Sequence, residues 1–469
     1  MFSRRLSASP VLRRVARRFG WGLADQAMSS VSNAAVSFYV ARELGASQFG
    51  AFSLAYVTYS FALNVSRGLA TDPLVVRYSN AEPAEWRRAV AKSTGTALTV
   101  GLVAGACAMV AAMVLHGTPR LAFLALGLVL PGLMLQDSWR YAFFAAGRGS
   151  QAFLNDTVWT LSLLPALGIL RVTHHGTVLW FVLAWGLAAA VAACVGSLQA
   201  RTVPRPAAAW TWVSETRDLG PRYMAENAAN SAAGQLRSYG VGIIAGLAAV
   251  GYIQAGLLLL GPFMVVLMGI SLVTVPEAAR VLRRSPRHLE PYCLAVGAGL
   301  AVMALAWGVC LLILLPRGLG SVLLGGLWKP AYALVIPFTI TIMGAGFQVG
   351  SAAGLHALGA ARRSLRAMII TSALTLGFSL AGAYAYGADG ALGAVRGGAL
   401  GAWIGALLWW RHLRAGMRES AEIPDGSGWW PRHQDGRRVS PAQALTRWRG
   451  SGTRRPDTPA TPSGRSEAA

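Results

Sequence analysis

Ala24-Asp25-Gln26-Ala27-Met28-Ser29-Ser30 and Ala225-Glu226-Asn227-Ala228-Ala229-Asn230-Ser231 are two copies of one pattern, 201 residues apart, acid on acid and amide on amide. The offset holds without a gap from Gly45 to Gly246 and from Gly50 to Gly251, where each half turns from one apolar stretch into the next. Pro73 and Pro276 follow at an offset of 203. Gly147 and Gly359, each followed shortly by arginine, echo one another further on. Matches in the same order along both halves read as a duplication.

The repeat sits in a chain that is 54% hydrophobic and 13% charged over 469 residues, with a mean hydropathy of +0.46. Apolar stretches of about 20 residues recur, each long enough to cross a hydrocarbon core of roughly 30 Å as a helix. Backbone polar groups in lipid must be satisfied within such a segment, so these stretches are helices. Twelve spans are expected, six per half. They run over about 20–41, 49–71, 90–115, 121–145, 153–171 and 177–199, then 222–245, 250–275, 292–315, 330–356, 366–386 and 390–410. The predicted class is an all-α polytopic membrane protein in two six-helix repeats. The predicted divisions are a basic N-terminus (1–19), a first lobe (20–200), a linker (201–221), a second lobe (222–412) and a disordered basic tail (413–469) whose composition buries too little to fold.

The net charge of +23 does not indicate nucleic acid, because the arginines fall between apolar stretches rather than along one soluble face. Thirty-four of the 42 basic residues lie on the side of the N-terminus and four (Arg42, Arg120, Arg171, Arg317) on the other. By the positive-inside rule both termini are cytoplasmic, as expected of a bacterial inner-membrane protein. The basic N-terminus precedes a stretch broken by Asp25, Gln26 and Asn33, so a retained helix is read rather than a signal peptide. Cys107, Cys194, Cys293 and Cys310 all lie in apolar stretches without ligand spacing. No metal and no cofactor are expected. His174-His175 stands without further ligands.

Gly20-Trp21-Gly22-Leu23-Ala24-Asp25-Gln26 with Ser29-Ser30 and Asn33 resembles the first helix of bacterial polysaccharide flippases. So do Ala41-Arg42-Glu43-Leu44-Gly45, Phe49-Gly50-Ala51-Phe52, and Arg67 with Asp72-Pro73-Leu74. These are the lipid-linked oligosaccharide exporters of the multidrug/oligosaccharidyl-lipid/polysaccharide (MATE-like) superfamily. The resemblance is strongest over 20–80 and otherwise architectural to about residue 412. It implies two lobes about a central cavity, and movement of a polyprenyl-diphosphate-linked glycan to the outer leaflet for cell-surface polysaccharide biosynthesis. Implied partners are that glycan, membrane lipids, and glycosyltransferases or the polymerase of the same pathway.

Charges within membrane helices cost about 2.5–3.5 kcal/mol on insertion scales, so each asks for a reason. Arg237, beside Gln235 and a few turns after Asn230, is a candidate for holding a diphosphate, against a structural ion pair or a snorkelling side chain. Arg396, between Gly393 and Gly397, is a candidate for substrate contact or for close packing. Asp25 and Glu226 are candidates for a gate or ion coupling, against simple helix N-terminal placement. Arg67 and Asp72 are candidates to neutralise each other or to pair with Asp25. Asp137 and Asp156, with Arg140 and Arg148, read as loop ion pairs, Asp156 also as a proton or sodium site. Lys329 reads as an interfacial anchor. No GxxxxGK[ST] loop is present, so an ion gradient is the expected energy source. Rival functions are a drug antiporter on the same fold and, more weakly, a glycan polymerase. The latter needs a large outer loop, and the longest expected here is about 14 residues, around 316–329.

Overall fold

The computed structural model describes residues 10–79 and 81–422, apart from the side chains of 10–20, 22, 23, 27, 230, 272, 421 and 422. Among the described residues all regular structure is helical. The first half holds α1 (Pro10–Glu43) and α2 (Ala46–Ser66), the latter continuing through a π turn at Arg67–Thr71 into α3 (Asp72–Tyr78). Then come α4 (Pro83–Val114), α5 (Gly117–Ala145), α6 (Gly149–Val172) and α7 (Val178–Ala200). A short α8 (Ala209–Glu215) leads to α9 (Gly220–Arg284) and α10 (Leu289–Leu314). Two one-turn helices, α11 (Gly320–Leu324) and α12 (Trp328–Ala333), precede α13 (Val335–Ala357), α14 (Ala361–Ala385) and α15 (Gly390–Glu422).

Nine helical stretches among the described residues are long and apolar enough to span a membrane. α1 and α2 are not in that set, since polar groups interrupt them. α9 enters it as one stretch, yet 65 residues rise about 98 Å at 1.5 Å each, about three bilayer cores. It bends at Gly246 (φ 82°, ψ 171°), a backbone that side-chain-bearing residues rarely adopt. Its two legs are the spans expected at 222–245 and 250–275. α1 starts at Pro10, so helix reaches into the stretch assigned to an N-terminal arm. α15 likewise extends to Glu422, into the stretch assigned to the tail, whose residues 423–469 lie outside the described ones.

The echoes in sequence are echoes in backbone. Gly147 (φ 67°) closes α5 and Gly359 (φ 68°) closes α13 with the same cap. In the first, Gly147 N–H donates to Phe144 O and Arg148 N–H to Phe143 O. In the second, Gly359 donates to His356 O and Ala360 to Leu355 O. Both are the glycine-ended turn that satisfies the last helical carbonyls. Gly50 and Gly251 are more than equivalent, because they touch. A Cβ on Gly50 would lie 1.9 Å from Leu247 O, and one on Gly251 would lie 2.3 Å from Ala46 O. α2 then runs antiparallel along the first leg of α9. Thr58 Oγ1 and Tyr239 Oη are 2.6 Å apart, Asn64 Nδ2 donates to Ser231 Oγ at 2.9 Å, and Gly68 lies against Met224.

The linker between the halves folds onto the basic end of the first. Arg205 N–H donates to Ala91 O at 2.8 Å, and the buried Trp212 donates from Nε1 to Leu69 O at 3.2 Å. Arg77 donates to Glu215 O at 2.7 Å and to Asp218 at 2.6 Å, while Lys92 pairs with Glu215 at 2.6 Å. The Arg77 hydrogen bond holds the Asp218 carboxyl below the usual carboxylate range. A lowered folded value means the latch is complete above the ordinary range and is lost as pH falls through the lowered value. Asp218→Asn is therefore expected to speed amide exchange over 209–219 at pH 7. Wild type should loosen that way only below about pH 3.9. Unchanged exchange in the variant would assign the anchoring to Trp212 instead.

Candidate functional site

The helical period sets one polar face on each of four first-half helices. Asp25, Ser29 and Asn33 recur every fourth residue on α1, and Tyr59, Leu63 and Arg67 follow one face of α2 into the π turn. Leu133, Gln136, Asp137 and Arg140 do the same on α5, as do Asn155, Asp156 and Trp159 on α6. π turns inside helices often mark functional positions, and this one carries Arg67 into the cluster.

Buried charges are tolerated when paired and hydrogen-bonded, and these are. Arg67 grips Asp137 with two bonds, Nε–Oδ2 at 3.0 Å and Nη2–Oδ1 at 2.7 Å, and its guanidinium lies 4.9 Å from the Tyr141 ring centre. Arg140 is shared. It binds Asp25 Oδ2 at 2.6 Å through Nη2 and stands 3.5 Å from Asp156 Oδ2 through Nε. Gln136 Nε2 donates to Asp156 Oδ1 at 2.9 Å, and Asn155 Nδ2 donates to Ala192 O at 2.8 Å. Asp25 is fully buried, and its Oδ1 has no hydrogen-bond partner. Three carboxylates thus face two guanidiniums, a set with room for one further positive charge, either a proton or a small cation.

Two cavities adjoin this cluster and share Asn33, Tyr56 and Trp185. One, of about 230 Å³, is polar and is bounded by Arg67, Asp137, Arg140 and Asp156. The other, of about 240 Å³, reaches between the halves to Gln254 and Leu258 on the second leg of α9, and its lining carries no charged side chain.

The expected site residues divide accordingly. Asp25 and Arg67 belong to the cluster, with different partners from those expected. Arg67 pairs with Asp137 rather than with Asp72 or Asp25, and Asp72 accepts from Asn227 Nδ2 at 2.9 Å. Asp156 is not a loop ion pair, because it is buried within α6. Glu226 is exposed and stands apart, without a partner among the described residues. Arg237 is half-buried, and among the described residues it has neither an ion-pair nor a hydrogen-bond partner; Gln235 Nε2 is also unpartnered. Arg237 is set about 100° around α9 from the exposed Leu236 and shares a face with position 230, whose side chain lies outside the described ones. Arg396 is exposed, its guanidinium 5.5 Å from the Tyr386 ring centre and donating to Tyr386 Oη at 3.2 Å, away from both cavities. Lys329 lies over the Trp328 ring at 5.9 Å. Sequence reasoning gave no weight to Gln136, Asn155 or Trp185. The available signal was Gln136, Asp137 and Arg140 within one apolar stretch. No group of three or more metal-ligating side chains occurs among the described residues.

Spanning helices in two matched halves, a paired charge cluster inside the bundle and adjoining cavities define a multi-pass membrane architecture. No family model and no curated protein matches the sequence. Solved structures do. An inward-facing multidrug resistance MATE family transporter of the MOP superfamily aligns over 84% of this chain and 96% of its own, at 15% identity and a TM-score of 0.63. A MATE structure in complex with MaD3S aligns over 86% and 96%, at 15% identity and 0.51. One in complex with MaL6 aligns over 87% and 95%, at 14% identity and 0.50. The chain has the MATE transporter fold.

Proposed function

We propose that this protein is a flippase that moves a polyprenyl-diphosphate-linked oligosaccharide from the cytoplasmic to the outer leaflet of the bacterial inner membrane. The observation that carries the reading is the contrast between Arg237 and the first-half arginines. Arg67 and Arg140 are neutralised by carboxylates, whereas Arg237 has no counter-charge among the described residues. A guanidinium left unpaired at membrane depth suits a cargo that brings its own anion, and its planar fork matches phosphate oxygens. The glycan then rests between the halves, with the polyprenyl tail in lipid.

Coupling falls to the carboxylate cluster. A proton or cation entering beside Asp156 releases Arg140 wholly to Asp25, which ties α1 to α5, and its departure loosens that tie. Binding of the ion thereby biases one arrangement of the halves over the other, as alternating access requires. The acids and the free cation stand in different halves, so ion and cargo need not compete for one group.

The test is deletion of the gene and complementation, with lipid-linked oligosaccharide followed by extraction. Deletion should cause accumulation that wild type corrects. Arg237→Ala at equal expression should restore less than a tenth of the export, and Arg237→Lys an intermediate share, because an ammonium lacks the fork. Full correction by Arg237→Ala would keep the flippase and discard this site. A second reading, a small-molecule antiporter, is favoured by the excess carboxylate in the first half and by the likeness to a multidrug resistance transporter. Altered sensitivity to cationic compounds without glycan accumulation would select it.

A further inference from the structure

The uncharged cavity between the halves has the chemistry of a carbohydrate-binding surface. Its aromatic side is a contiguous group: Tyr56 lies 5.9 Å from Trp185 and Phe52 lies 6.5 Å from it, and Trp185 is backed by Tyr59 of the adjoining polar cavity, edge-on at 4.8 Å. Its polar side is made of two amides, Asn33 and Gln254, and two serine hydroxyls, Ser37 and Ser53, the latter donating to Phe49 O at 2.7 Å. Gln254 makes no hydrogen bond among the described residues, Ser37 makes none, and Asn33 uses only its Nδ2, in a long bond of 3.4 Å to Ser29. A pyranose needs both kinds of surface. Its axial C–H bonds pack on the faces of electron-rich rings, and its hydroxyls, each donor and acceptor, are matched by side-chain amides. Ring faces also attract an organic cation, so the amides of Gln254 and Asn33 are what favour a sugar here, and a cationic probe is the control. A volume of about 240 Å³ is the scale of one or two sugar rings, not of an oligosaccharide.

Arg237 lines neither cavity, and what relates it to this one is its depth along the helices. The Thr58–Tyr239 and Asn64–Ser231 contacts place Arg237 level with Tyr59 and Ser60 of α2. Tyr56 and Phe52 lie one and two turns deeper, about 5–11 Å further from the basic end. A sugar joined through its anomeric carbon to a diphosphate spans such a distance. The geometry points to this cavity, built around Trp185, Tyr56 and Gln254, as the subsite for the glycan's first sugar. Arg237 receives the adjoining diphosphate.

The inference rests on the flippase reading, and the experiment separates the two. Purified full-length protein is titrated with farnesyl diphosphate, with farnesyl-diphosphate conjugates of glucose, galactose and N-acetylglucosamine, and with tetraphenylphosphonium. Tryptophan fluorescence reports binding, and calorimetry checks it. At least one glycosylated probe should bind tenfold or more tighter than farnesyl diphosphate. Gln254→Leu and Tyr56→Ala should abolish that tenfold preference while leaving farnesyl diphosphate binding within twofold of wild type. Arg237→Ala should weaken both kinds of probe. Trp185 is nearly buried, so Trp185→Phe, which keeps a ring, is the variant to use there, with a smaller loss of preference expected. Equal binding of sugared and unsugared probes, or an equal loss of both in Gln254→Leu, would overturn the subsite and leave the flippase standing. Binding of tetraphenylphosphonium alone, lost in Tyr56→Ala, would overturn both.

Discussion

Arg140→Met should lower the stability of the detergent-solubilised protein by about 3–5 kcal/mol, among the largest single-residue effects in the first half. Methionine fills much of the same volume, so the cost is one of charge, not of a cavity. Arg140 bonds Asp25 at 2.6 Å and stands 3.5 Å from Asp156, and both acids are buried. Removing the guanidinium leaves two buried carboxylates without their counter-charge, and Asp25 already has one oxygen without a partner. The cause is checkable because it predicts its own cure. Adding Asp25→Asn and Asp156→Asn to Arg140→Met should return most of the lost stability, measured by denaturant unfolding. Transport in that triple variant should nevertheless stay unresponsive to an imposed proton or sodium gradient. A loss under about 1 kcal/mol in the single variant would mean that water already solvates the acids, and would remove the physical basis for coupling there.

The sequence showed the architecture more plainly than the site, and the reason is one of range. Hydrophobic spans and loop charge are local quantities, and each half reports them independently. The 201-residue offset pairs Gly50 with Gly251 as equivalent positions, but that they touch where the halves cross could not be read from it. Partners within the charge cluster are not local. Arg67 and Asp137 are 70 residues apart, and Arg140 and Asp25 are 115 apart. Charge pattern suggests that such residues pair but not with whom, which is why the nearer Asp72 was the natural choice for Arg67. Helix ends were misjudged where continuity had no sequence cost. Nothing in Ala245-Gly246-Leu247 says that the chain bends without breaking, since glycine permits either. Arg237 stood out for a different reason, as a cation within a spanning stretch, and its place in a site is a proposal.

On the proposed flippase reading, Gly50→Ala is expected to reduce export more than tenfold by a purely steric route, with the proposed cargo and ion residues unaltered. The added Cβ would fall 1.9 Å from Leu247 O, a backbone atom that cannot rotate away as a side chain could. The crossing is reciprocal, since Gly251 meets Ala46 O in the same manner, so Gly251→Ala should behave alike. Either methyl must push α2 and α9 apart where they cross, at the end of the bundle remote from the linker. Each therefore penalises the arrangement in which that end is shut. A tenfold shift of the conformational equilibrium corresponds to about 1.4 kcal/mol, less than so close a contact implies. The measurement is labelling of Tyr56→Cys, which lines the cavity between the halves, in a background lacking Cys107, Cys194, Cys293 and Cys310. A membrane-impermeant maleimide added from the outer side of intact cells should label this cysteine at least ten times faster when Gly50 is alanine. If the labelling rate is unchanged while export falls, the crossing is a packing contact and the moving seam lies elsewhere. The effect should also be one-sided. Gly147→Ala, at the positive-φ cap ending α5, should strain its own turn without changing the labelling, because that glycine is needed for a local conformation and not for the approach of two halves.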